Sequence, residues 1–189
     1  MKIILTINVL LFQLGLVAQP KFEHDPNYCP QYKFVDSVFN LKATNDFEFR
    51  FCIRHSGLFG GNSSIIIISE NDNKWKANIY NLSFFPVESF LEDTQNLPNP
   101  LLLWKKLLKQ KVLTLPDNSL LRTKDGKIPY SNTRDGTTYT FELITKAAKR
   151  SYSYYAPYGA IEEYPEIKEF KSVLEMVFLI ERFYRTEYR

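Results

Sequence analysis

From Phe47 to Arg54 the chain alternates without a break, with Phe47, Phe49, Phe51 and Ile53 on one side and Glu48, Arg50, Cys52 and Arg54 on the other. Period two is the spacing of a strand with one buried face, so a β-strand is predicted over 46–55, with Cys52 on a polar, outer face. Residues 33–41 carry the same spacing and read as a strand ahead of it. The segment 63–69 holds four consecutive isoleucines, the pattern of a strand buried on both faces. Asn71-Asp72-Asn73 tolerate left-handed backbone, and a hairpin turn is expected there. The chain returns over 74–81, where Trp75, Ala77 and Ile79 alternate with Lys74, Lys76 and Asn78. These four strands make an antiparallel meander.

The rhythm then changes. Residues 86–100 read as an irregular or briefly helical link. Asn99-Pro100 supplies an N-cap and a proline at the first helical position, ahead of a helix over 101–110 packed through Leu101, Trp104, Leu107 and Leu108. Pro116, Asp117, Asn118, Gly126, Pro129 and Asn132 mark 115–135 as a long loop. Alternation resumes from Thr137 through Tyr139, Phe141 and Leu143, turns at 146–149 and returns through Tyr152 and Tyr154, a second hairpin. Pro165 opens a closing helix over 166–183, with Ile167, Phe170, Leu174, Val177 and Phe178 at helical spacing and Arg182, Arg185 and Arg189 near its negative end. The expected fold is α+β: an antiparallel sheet of about six strands (four-strand meander, helix, hairpin, helix) with the helices packed on one face.

The N-terminus follows neither rhythm. Lys2 precedes an apolar run, Ile3 to Val17, interrupted only by Thr6, Asn8, Gln13 and Gly15 and ending in Ala18 before Gln19-Pro20. This is the plan of a secretory signal peptide cleaved after Ala18. A membrane anchor needs about 20 predominantly apolar residues, and this run is shorter and gives way to Lys21-Phe22-Glu23-His24-Asp25. The domain plan is therefore a signal peptide over 1–18, an extended segment over 19–32 and one domain over 33–189, exported to the periplasm or the medium without a stable membrane anchor. The formal charge of +3 falls to +2 without Lys2, too little to draw a nucleic acid.

Export bears on the two cysteines. In an oxidising compartment a lone pair such as Cys29 and Cys52 commonly ends as a disulfide, here closing a loop of about 22 residues for roughly 3 kcal/mol. The alternative is two thiols. His24, Asp25, Cys29 and His55 offer no closely spaced ligand pair, so no metal is expected. Gly57, Gly60 and Gly61 lack the spacing of a phosphate loop and read as a turn, and no cofactor is expected.

Candidate chemistry is sparse. Tyr152, Tyr154, Tyr155 and Tyr158, with Arg150 beside them, have the composition of a stacking platform for a ligand. Strand-forming tyrosines that bury their rings and keep their hydroxyls wet give the same pattern. Glu162 and Glu163 could supply an acid pair, though acids at a helix start also serve its dipole. His55 has no nucleophile in a recognisable context nearby.

Asp135-Gly136-Thr137-Thr138-Tyr139-Thr140-Phe141-Glu142, then Tyr152-Ser153-Tyr154, Pro157 and Glu169-Phe170, together with Leu113-Thr114-Leu115-Pro116 upstream, resembles small secreted bacterial proteins of uncharacterised function. The resemblance covers the C-terminal third. It implies a bacterial exported protein, makes Asp135-Gly136 the turn that launches the last hairpin, and supplies no activity. The leading expectation is a non-catalytic secreted or periplasmic module that binds an exported protein or a small ligand through its sheet face or its 115–135 loop. A secreted hydrolase is the alternative, its site assembled only in the fold from residues such as His24, His55, Asp135, Glu142 and Glu162. An inhibitor or immunity-like protein for an exported enzyme is the third reading.

Overall fold

A computed structural model describes residues 45–55, 63–82, 90–96, 98–129 and 136–185. They form an α+β fold with one antiparallel sheet and three helices. The strands are β1 (Phe47–His55), β2 (Ser63–Asn71), β3 (Lys74–Leu82), β4 (Phe90–Asn96), β5 (Thr137–Thr145) and β6 (Lys149–Tyr155). Their order across the sheet is β4-β3-β2-β1-β5-β6, every pair antiparallel. Five strands pair continuously, while β4 joins the β3 edge with a register shift between Ile79 and Asn81. The helices are α1 (Pro100–Lys109), α2 (Pro157–Glu163) and α3 (Lys168–Arg185), with a 3-10 turn at Asn118–Leu120.

Local chemistry explains most of these elements. Asp72 and Asn73 take positive φ, 50° and 62°, which the two-residue hairpin between β2 and β3 requires. Both α1 and α2 start the same way, with a left-handed residue (Asn99, φ 48°; Ala156, φ 44°) followed by proline at the first turn. Asn99 contributes conformation only, since its side chain makes no cap hydrogen bond.

Three expectations change. The expected link over 86–100 contains strand β4, and an unexpected helix, α2, precedes the closing one, which starts at Lys168 instead of beside Pro165. Ala156 is a poor capping residue, so only Pro157 marked α2 in the sequence. The expected strand over 33–41 lies outside the described residues, as does the turn over 57–62.

One sheet face carries the main core. Register aligns Phe49 with Ile68 and Leu143, and Phe51 with Ile66 and Phe141. Trp104 of α1 descends onto this surface, with ring centroids 4.6 Å from Phe47 and 5.6 Å from Phe49. Phe170, Val173, Met176, Val177 and Ile180 bring the α3 stripe onto the same face. Fully burying a side chain of this size contributes about 1.5–3 kcal/mol, so this layer dominates the fold. Leu101, expected on the packed side of α1, is only half-buried; Leu103 takes its place in the core.

The opposite face is buried too, which corrects the reading of Cys52 as facing outward. Cys52 is 1% exposed, and Glu48, Arg50, Ile65, Ile67, Tyr80, Thr140, Glu142 and Ile144 on that face are also buried. Ile65 to Ile68 therefore divide evenly between two interiors. Buried charge needs a partner, and register supplies it: Arg50 sits opposite Glu142 and two residues from Glu48. Its Nε donates to Glu48 Oε1, and its Nη1 lies 3.7 Å from Glu142 Oε2. Among the described residues no helix is long and apolar enough to cross a membrane.

Candidate functional site

Four of the five predicted platform residues sit on β6, and the structure shows what three of them hold. Antiparallel pairing points Arg150, Tyr152 and Tyr154 toward the helix-covered face. There the Tyr152 hydroxyl donates to Val112 O at 2.7 Å and the Tyr154 hydroxyl to Pro116 O at 2.6 Å. The Arg150 guanidinium reaches Leu113 O and Leu115 O and lies 5.3 Å above the Tyr152 ring. Four carbonyls of the segment after α1 are thus fastened to one strand. These side chains clamp the chain's own loop, and their hydroxyls are not in water as the strand-only reading supposed.

Burial sets the acidity of these phenols. Removal from water pushes Tyr152 and Tyr154 well above the ordinary tyrosine value and Tyr139 up to about 12, because the phenolate is the form that burial penalises. All three are neutral hydrogen-bonding groups across the ordinary pH range. None is a poised base.

Tyr155 and Tyr158 part company from that group. Tyr155 lies on the other sheet face, where its hydroxyl accepts from Gly136 N at 3.1 Å. Gly136 is required at this spot: a β-carbon there would stand 2.8 Å from Ala156 Cβ and 2.9 Å from Tyr155 Cζ. Tyr158 is exposed on α2 and meets Phe178 of α3 edge-on at 5.9 Å. Five expected platform residues therefore occupy three places.

The same loop closes the outer edge of β6. Asp117 Oδ2 accepts from Ser153 N at 2.8 Å, the bond a further strand would otherwise make. Its Oδ1 accepts from Ser119 N at 2.9 Å and Ser119 Oγ at 2.7 Å, which caps the 3-10 turn. The sequence carries a signal for this, an Asp with Ser two residues on, the pattern of an Asx-turn.

Beside this clasp lies a groove of about 360 Å³, within the roughly 300–1,000 Å³ typical of ligand sites. Asp117, Asn118, Ser119, Thr138, Ser153 and Tyr155 supply its polar wall, and Ile128, Pro129, Ala160 and Phe170 the apolar one. The Oδ1 of Asn118 is shielded from solvent and has no hydrogen-bond partner among the described residues. A second hollow of about 400 Å³ on the other side of the loop mixes Arg122 and Lys124 with Glu166 and Glu169. Arg122 is already spent on Ser119 O and Leu121 O.

The candidate acids and bases are dispersed. His55 ends β1, exposed, with Nδ1 3.0 Å from Thr137 Oγ1; Glu142 is buried beside Arg50; Glu162 and Glu163 are exposed on α2. His24, Asp135 and Cys29 lie outside the described residues. No disulfide and no cluster of three or more metal-ligating side chains occurs among the described residues. No protein-family profile matches this sequence, and no curated protein is significantly similar to it.

Proposed function

We propose that the protein is an exported, non-catalytic binding module that engages its partner or ligand at the β6 edge groove. The observation that carries this reading is the construction of that edge. A strand edge is the natural place for an unwanted pairing, and here Asp117 caps it while leaving a ligand-sized hollow with a hydroxyl-lined wall and an apolar wall. Loops held to a rigid sheet are the usual carriers of recognition, and this one is held by Arg150, Tyr152 and Tyr154. Exposed Ile128 lines the groove, an apolar side chain that a partner would cover.

The export half of the proposal rests on the sequence from Met1 to Ala18. It is tested by N-terminal sequencing of protein recovered outside the cytoplasm, which should begin at Gln19; a protein starting at Met1 and retained in the cytoplasm refutes it. The Cys29–Cys52 disulfide belongs to the same proposal. Thiol titration of the unfolded, unreduced protein should find none, and two titratable thiols would exclude the bond.

Binding is tested by recovering tagged protein from the exporting cell, wild type beside Ile128→Arg, and identifying stoichiometric companions by mass spectrometry. A protein or small molecule lost on the rim substitution supports the groove. A companion retained equally by both forms, or none with either, overturns it.

A further inference from the structure

Asp117 is held by hydrogen bonds and, among the described residues, by no ion pair. The three close donors that reach it, Ser119 N, Ser119 Oγ and Ser153 N, are neutral dipoles. Hydrogen bonds satisfy part of this half-buried carboxylate, and its charge remains open to a cation entering the groove. Among the described residues that line the groove, Asp117 is the one that carries a charge.

The rest of the wall has matching polarity. Ser119 has committed its hydroxyl proton to Asp117, so toward the groove its oxygen can only accept. Opposite stand Ile128, Ala160 and Phe170, which suit a hydrocarbon stem, and Tyr155 adds an aromatic ring of the kind cations favour. An anion would meet like charge there. A neutral polyol could donate hydrogen bonds but would leave the charge unbalanced.

We infer that the groove binds a primary alkylammonium group, its cationic head at Asp117 and its aliphatic stem along Ile128 and Phe170. This rests on the binding reading above and names the chemistry that reading leaves open. The group can come from a free diamine or from a lysine side chain of a partner, since both present the same head and stem.

The test is a titration of the full exported chain followed through the backbone amide signals of Ser119 and Ser153, whose N–H groups touch the carboxylate. The probes are 1,5-diaminopentane, 1,5-pentanediol, pentanoate and a short lysine-rich peptide. The diamine or the peptide should move both amides saturably, with affinity falling several-fold between about 20 and about 200 mM salt, while the diol and pentanoate leave them in place. Whichever cation binds more tightly identifies the source. Because Ile128 is exposed, Ile128→Glu and Ile128→Lys will fold; the first should tighten diamine binding about three-fold and the second weaken it as much. Equal responses to diol and diamine, or none to either cation, overturn the ammonium assignment. If the companion in the recovery experiment is nonetheless lost on Ile128→Arg, the binding reading stands and only the ligand class falls.

Discussion

Ser153 and Asp117, 36 residues apart in sequence, are joined by a 2.8 Å hydrogen bond that does for the edge of β6 what a neighbouring strand would do. Removing the carboxylate strands Ser153 N and removes the cap on the 3-10 turn. A lost cap costs about 1 kcal/mol, and a part-buried donor such as Ser153 N, left unpaired, costs toward the low end of about 1–3 kcal/mol. Asp117→Ala should therefore lower stability by about 2–3 kcal/mol in urea unfolding. Asp117→Asn, which keeps one acceptor oxygen, should cost about half of that.

The buried cluster on the second sheet face makes a sharper prediction. Arg50→Met leaves Glu48 and Glu142 in a buried setting without their shared cation, a change that costs about 3–5 kcal/mol in comparable pairs. Replacing all three with apolar residues of similar volume should recover most of that loss. Chemical denaturation of the single and triple variants decides it: a triple variant no more stable than Arg50→Met shows that these charges do more than neutralise one another.

How much of this could be read from the sequence depends on which forces are local. Alternation through Phe47, Phe49 and Phe51 and the pair Asp72-Asn73 placed β1 and its neighbouring hairpin, because side-chain period and backbone handedness are properties of a few adjacent residues. Strand β4 leaves no local signal because an edge strand is stabilised by its one neighbour, here through a broken register with β3. Alternation puts Cys52 opposite the phenylalanines but does not say what covers that second face, which is buried here. The site was least legible. Composition groups Arg150, Tyr152 and Tyr154 with Tyr155 and Tyr158 as a ligand platform, whereas what these three hold is the chain's own backbone 35 to 40 residues away. Nothing in their spacing points to so distant a partner.

Trp104 lies at the centre of the aromatic layer, yet its indole N–H has no acceptor among the described residues. The ring is therefore both the largest contributor to the core and the carrier of an unpaid polar burial. Trp104→Ala should cost about 3–5 kcal/mol from lost packing. Trp104→Phe should cost less than about 1.5 kcal/mol, because discarding the unpartnered donor offsets the smaller ring. Equal losses for the two, measured by urea unfolding, would mean the N–H is satisfied in solution.

Alkaline pH should unfold the protein through its buried phenols, and the direction follows from linkage. A tyrosine whose folded pKa exceeds its unfolded value of about 10 holds its proton longer in the native state. Between the two values the native state binds more protons, so stability falls as pH rises. Tyr139, pushed up to about 12 by burial, contributes stability that is complete below about pH 10 and lost by about pH 12. Tyr152 and Tyr154 shift the same way through the same cause and add to the slope. Tyrosinate absorbance and circular dichroism followed together should show a group of tyrosines ionising only as the sheet signal collapses. Tyr154→Phe removes one of these phenols together with its bond to Pro116 O. It should lower stability by about 1 kcal/mol near neutrality and flatten its decline above pH 10. Tyrosines that all ionise near pH 10 without loss of the sheet signal would show that these hydroxyls reach water.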